Sequence, residues 1–155
     1  MENMNTATIL IRSITPSDIP VWEELRCAHW PDGADDHAQE IAAFFAGTLE
    51  EPVEVLIAED EEHTVIGFAE LSIRTDLPGL DGHRGGYVEG LYIRPEFRGG
   101  NAARRLLQES RHWARQKGCT IFASDRAERI IIDRSFSRPH TSTVETVKSG
   151  EATHE

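Results

Sequence analysis

Apolar and polar positions alternate over residues 7–13, ATILIRS, and predict a short strand. Thr15-Pro16-Ser17-Asp18 then opens a helix in which Ile19, Val21, Trp22, Leu25 and Ala28 recur at helical spacing, until Pro31-Asp32-Gly33 stops it. A second helix is expected over 36–46, with Ile41, Phe44 and Phe45 turned inward and Gly47 at its end. Residues 53–59 and 64–74 flank the acidic turn Glu59-Asp60-Glu61-Glu62 and read as a hairpin. Residues 77–86, with one proline and four glycines, read as a loop. A strand at 87–93, a helix over 101–117 closed by Gly118, a strand at 119–124 and a helix at about 126–137 follow. Beyond Pro139 only Val144 and Val147 are strongly apolar, which predicts one exposed strand at best, or a frayed tail.

The resulting order, β-α-α-β-β-β-α-β-α, describes an α+β fold: a mixed, mainly antiparallel sheet flanked by helices. One domain over 1–138 and an atypical C-terminal segment, 139–155, are expected within the 155 residues.

Composition narrows the function classes. No apolar run reaches the length of a membrane span, and MENMNTATILIRS lacks the basic and long apolar regions of a secretory signal, so a cytoplasmic protein without membrane partners is expected. Cys27 and Cys119 form no CxxC pair, and Cys119 is expected in the core rather than as a nucleophile. No metal is expected, because the seven histidines, among them His29, His37, His63 and His83, show no paired ligand spacing and read as solvated or loop residues. The net charge of -11 is unevenly spread: residues 1–90 hold 19 acids against 4 arginines, whereas residues 91–155 hold 8 acids against 12 Arg and Lys. The acidic part suits a cationic ligand and disfavours nucleic acid; the basic part suits phosphate.

The basic part begins at a strand-to-helix turn, Arg98-Gly99-Gly100-Asn101-Ala102-Ala103. Two glycines let backbone N–H groups converge at a helix N-terminus, where the dipole favours an anion. Arg98, Arg104 and Arg105 add charge. The Lys-Ser/Thr of a P-loop and the GxGxxG of a dinucleotide fold are both missing. Alone, such a turn is more often just a turn.

Together with its surroundings, this turn resembles the coenzyme A motif of the GNAT superfamily of N-acetyltransferases. ELRCAHWPD (24–32), IGFAELSIR (66–74), YVEGLYIRPEFR (87–98) and LLQESRHWARQKGCTIFASD (106–125) resemble the aminoglycoside 6'-N-acetyltransferases in particular. The resemblance implies a GNAT-like sheet whose strand 87–93 splays for acetyl-CoA, with acetyl-CoA as cosubstrate bound by Leu91, Tyr92, Ile93, Arg98, Gly99, Gly100, Asn101, Ala102, Ala103 and Arg104. Asn101 stands where the motif has glycine, and asparagine tolerates a positive φ. A cytoplasmic homodimer is implied as well, although the segment SFSRPHTSTVETVKSGEATHE departs from the family's closing elements.

The implied reaction is direct attack of an aminoglycoside 6'-amine on the thioester, an antibiotic-resistance activity in which carboxylates bind the polycation and assist deprotonation. Glu89 is expected as base or amine-positioning group, the alternative being an exposed strand carboxylate; Gly90 beside it invites a bulge. Asp125 is expected as a second substrate carboxylate or as a helix N-cap. Trp30 is expected as an aromatic wall or as core packing, and Glu70 as a weaker substrate contact. The tyrosine that often lines the family's pocket has no counterpart in the 75–79 loop, and Asp76, with Asp81, is expected to supply substrate contacts there. The Leu91 N–H is the expected polariser of the acetyl carbonyl. Two other readings stay open: a GNAT acting on another polyamine or a protein amine, and a non-catalytic acyl-CoA-binding module.

Overall fold

The computed structural model describes residues 8–76, 82–126, 129–133, 136 and 144–148. Among them, seven strands form one sheet in chain order: β1 (Leu10–Ser13), β2 (Glu54–Glu59), β3 (Val65–Arg74), β4 (Gly85–Ile93), β5 (Ile121–Arg126), β6 (Arg129–Asp133) and β7 (Val144–Lys148). Helices α1 (Ile19–His29) and α2 (Ala34–Ala46) join β1 to β2, and α3 (Ala102–Gln116) joins β4 to β5. The α3 crossover makes β4 and β5 the one parallel pair; every other neighbouring pair is antiparallel.

Helices cover both faces of the sheet, which is why β2 and β3 carry apolar residues on both sides of the pleat. On one face, Leu106, Trp113 and Ala114 of α3 pack with Leu56, Ala69, Leu71, Val88 and Ile93. On the other, Trp22 and Leu25 of α1 and Ile41 of α2 pack with Val55, Ile57 and Phe68. Cys119 is buried, as expected of a core thiol, and burial raises its pKa.

The predicted helix at about 126–137 is a correction. Arg126 ends β5, and Ile130, Ile131 and Ile132 lie in β6, opposite Asp125, Ser124 and Ala123. Three consecutive β-branched residues stiffen the chain in an extended form, and the buried Ile132 packs with Tyr87, Ile121 and Ala123. Of the final segment, 144–148 takes the strand alternative and pairs with β6; residues 139–143 and 149–155 lie outside the described ones. Gly85 and Gly86, expected in a loop, begin β4; residues 77–81 of that loop, Asp81 among them, are also outside.

Candidate active site

The site begins with one extra residue in β4. Leu71 pairs with Val88 but Glu70 pairs with Gly90, so Glu89 is a bulge. The bulge changes which way the backbone faces. Before it, the Arg84 carbonyl accepts from Thr120 N–H, so by strand alternation Arg84, Gly86 and Val88 address β5. After it, Arg94 N–H donates to the Ile66 carbonyl, so Tyr92 and Gly90 address β3, while Leu91 and Ile93 address the opposite side. On that side β5 is no longer a neighbour, because its pairing with β4 ends at Val88 and Ser124. The N–H and C=O groups of Leu91 and Ile93 therefore border an opening in the sheet, and strand 87–93 is splayed as expected.

The turn at 98–103 lies at the end of this open stretch. Gly99 has a φ of +90°, and a Cβ there would meet nothing within 4 Å, so left-handed backbone rather than crowding requires the glycine. Asn101 differs from expectation: its φ is -109°, so its tolerance of positive φ is not used. It is the N-cap of α3, with its Oδ1 buried and lacking a hydrogen-bond partner among the described residues. This buried oxygen stands beside the unpaired N–H groups of the helix start, and those donors, not the oxygen, suit an anion. Arg98 donates through Nε to the Ile93 carbonyl (2.7 Å) and lies 5.1 Å from the Tyr92 ring centre. Arg104 is exposed, Ala102 buried and Ala103 half-buried. Arg105 is instead tied to the Ile9 carbonyl at 2.8 Å.

On the α1–α2 face, a cleft of about 730 Å³ is lined by Trp30, Glu70 and Glu89 together with Arg26, His29, Asp32, Asp36, His37, Glu40 and Glu51. Trp30 caps α1, and its indole lies against Gly90, where a Cβ would stand 2.5 Å from two ring carbons. Arg26 is buried and lies 5.6 Å from the Trp22 ring and 5.2 Å from the Trp30 ring. Its Nη1 donates to His37 Nδ1 at 3.2 Å. An arginine cannot accept, so His37 carries its proton on Nε2 and donates it to the Trp30 carbonyl at 3.0 Å. This chain of bonds holds Trp30 from both its ring and its backbone.

Glu70 is not solvated: it is 1% exposed, receives Trp22 Nε1–H at 2.9 Å and holds Arg26 at 2.7 Å. Burial raises its pKa above 4.5, while Arg26 opposes the rise. It is a paired carboxylate in the cleft floor. Glu89 receives a hydrogen bond from Ser72 Oγ and a bidentate pair from Arg74, with Nε at 3.0 Å and Nη2 at 2.8 Å. Arg74 Nη2 also reaches Glu51 at 3.3 Å. Burial first, and then the Glu89 charge, raise the Glu51 pKa above 4.5.

Trp30, Glu70 and Glu89 thus meet at one cleft, whereas Asp76 is exposed and does not line it. Asp125 pairs through its backbone with Ile130 in a strand, which removes the N-cap alternative; its side chain lies outside the described ones. Two histidines read as solvated are not: His37 is buried on α2 and His29 half-buried at the end of α1. Arg26, Arg74 and Glu51 were missed, although ELR and SIR place both arginines at helix or strand spacing from the aromatic and acidic residues they serve. Among the described residues, no group of three or more His, Cys, Asp or Glu could hold a metal ion, and no helix is long and apolar enough to cross a membrane.

Comparison with known proteins agrees with this geometry. The acetyltransferase (GNAT) family matches residues 19–130. The aminoglycoside N(6')-acetyltransferase type 1 of Klebsiella aerogenes is 39% identical over 117 residues, 75% of this chain and 77% of the relative. Among solved structures, AAC(6')-Iy in complex with the bisubstrate analogue CoA-S-monomethyl-acetylneamine superposes with a TM-score of 0.69 at 28% identity, covering 78% of this chain and 81% of the other. The aminoglycoside antibiotic 6'-N-acetyltransferase AAC(6')-Ih from Acinetobacter baumannii gives 0.67 at 33%, covering 77% and 80%. The chain belongs to the GNAT family of acetyltransferases, where it groups with the aminoglycoside N(6')-acetyltransferases.

Proposed function

We infer that the protein transfers the acetyl group of acetyl-CoA to the 6'-amine of an aminoglycoside. One observation carries this reading most directly: an acidic cleft walled by Trp30 and Glu89 meets, at Gly90, the strand whose Leu91 and Ile93 backbone groups face the sheet opening. A polycationic sugar suits the cleft, and a phosphate-bearing thioester suits the opening and the turn beyond it. A relative whose structure contains a CoA–aminoglycoside bisubstrate analogue supports placing donor and acceptor together.

In this reading, the N–H groups at the start of α3 and the Gly99–Ala103 backbone receive the pyrophosphate, and Arg98 and Arg104 add positive charge. Acetyl-CoA supplies the activated acyl group. The Leu91 N–H polarises its carbonyl, and Glu89, fixed by Arg74 and Ser72, receives the ammonium and orients it. Trp30 packs on the sugar ring, and Asp125 and Asp76 remain candidates for outer contacts. A cytoplasmic homodimer is the proposed assembly, for which sedimentation equilibrium provides the test.

Steady-state CoA release with kanamycin A and tobramycin, run beside spermidine and a basic peptide, tests the activity. Turnover confined to acceptors bearing a 6'-amine and reduced in Glu89→Gln supports it. Acetyl-CoA binding without turnover on any acceptor would move the protein to the non-catalytic alternative.

A further inference from the structure

The carboxylates at the inner walls of the cleft are already engaged. Arg74 holds Glu51 and Glu89, and Arg26 holds Glu40 and Glu70. Taking a proton from an ammonium would cost any of them part of an ion pair. His29 differs. It lines the same cleft from the last turn of α1, and among the described residues no hydrogen bond reaches either ring nitrogen.

The imidazole is held by packing alone. Its ring centre is 4.5 Å from Trp30, 6.2 Å from Phe68 of β3 and 5.7 Å from Tyr92 of β4. Its Cδ2 would lie 3.4 Å from a Cβ on residue 90, so the ring touches β4 between Glu89 and Leu91. The charged and titratable groups facing it are Arg98, from the turn after β4, and the Tyr92 phenol; β3 contributes Phe68. Burial first, and then the Arg98 charge, hold the imidazole below its ordinary 6.5. At neutral pH it is the free base.

We propose that His29 is the proton acceptor for the amine being acetylated, an assignment that rests on the acetyl-transfer reading above. The substrate ammonium gives one proton to a ring nitrogen of His29. The freed lone pair attacks the thioester carbonyl, the C–N bond forms and the C–S bond breaks. The second N–H proton ends on the departing thiolate as the CoA thiol, and the imidazolium returns its proton to solvent through the cleft. One proton is released for each acetyl group transferred. Glu89, paired with Arg74, orients the amine without having to deprotonate it.

The test compares pH profiles of kcat/KM for kanamycin A in the wild type, His29→Leu and His29→Gln. Leucine keeps the apolar packing against Trp30, Phe68 and Tyr92; glutamine keeps polarity without titrating. The wild-type profile is expected to fall on the acid side with a midpoint below 6.5. Both variants lose that limb and about 100-fold in kcat at neutral pH, with KM for acetyl-CoA unchanged. Independently of turnover, the His29 imidazole resonance, assigned by its loss in His29→Leu, should titrate still lower once kanamycin A is bound, because the polycation opposes protonation. A His29→Leu enzyme with wild-type kcat and an intact limb overturns the assignment while leaving the activity standing. A midpoint indifferent to kanamycin A also overturns it. Wild-type protein that binds acetyl-CoA but acetylates no 6'-amine defeats the activity itself, and the assignment with it.

Discussion

Trp30 and Gly90 share one van der Waals boundary: a Cβ on residue 90 would stand 2.5 Å from Cη2 and Cζ2 of the indole. The glycine is required by the neighbour, because strand pairing with Glu70 gives residue 90 an ordinary place in the ladder. Gly90→Ala should push Trp30 out of the cleft wall at about 1–3 kcal/mol. KM for the aminoglycoside should rise while acetyl-CoA affinity, measured by calorimetry, is kept. Equal losses for both substrates would mean that the strand itself had been disturbed.

Arg26 and Glu70 are buried together, and Glu70 holds Trp22 as well. Removing one partner leaves an uncompensated charge, so Arg26→Met should cost about 3–5 kcal/mol in urea unfolding. The variant also frees His37 Nδ1 and so loosens the bond from His37 to the Trp30 carbonyl. Aminoglycoside KM should rise even under conditions where the variant is fully folded.

Asp18 takes two hydrogen bonds from the Arg12 guanidinium, at 2.8 and 2.9 Å, and another from Thr15 N–H. Chiefly through Arg12, its pKa falls from 3.8 to about 2. A lowered carboxylate pKa contributes stability that is complete above the unfolded value and is lost as pH falls through the folded one. The contribution is about 2 kcal/mol. Urea unfolding of Asp18→Asn should therefore lie below wild type by a constant margin near neutral pH, and the gap should narrow as pH falls from 3.8 towards 2. A pH-independent gap would assign the loss to packing.

Gly99 sits at a φ of +90° with no atom near its missing side chain. Gly99→Ala should strain the backbone by about 1 kcal/mol without a clash, loosening the turn at the start of α3. Acetyl-CoA KM should rise several-fold while aminoglycoside binding is unaffected. The converse change at the cap, Asn101→Gly, should bring no gain from backbone freedom, because Asn101 already occupies φ -109°.

Much of the fold was legible because its signals are local. Pro16, Gly47 and Gly118 mark helix boundaries, and the period-two runs around 53–59 and 64–74 form the expected hairpin. The segment at 126–137 misled because Asp125 is a good helix opener by composition, whereas the Ile130–Ile132 run follows the strand beside it. In the site, Glu89, Gly90 and Trp30 were readable from type and spacing. What holds them was not. Arg74 reaches Glu89 across strands, Arg26 reaches Glu70 from helix to sheet, and a chain written in one dimension does not show which residues face each other across a register. His29 escaped for the same reason: its neighbours Phe68 and Tyr92 lie far along the sequence, and a lone histidine beside a tryptophan carries no pattern of its own.

The bulge at Glu89 also says which backbone groups border the opening between the two halves of the sheet. The count of residues along β4 is off by one against β3, and that offset makes Leu91 and Ile93, rather than Gly90 and Tyr92, face the side where β5 is no longer paired. The property belongs to spacing, so a substitution at 89 can spoil the chemistry but leaves the opening in place. Deleting residue 89 would join Val88 to Gly90 and straighten the strand, yet Gly90 would still stand opposite Glu70 and Leu91 opposite Ala69, so the same backbone groups would face the opening. What would be lost is the kink and the Glu89 carboxylate, not the opening.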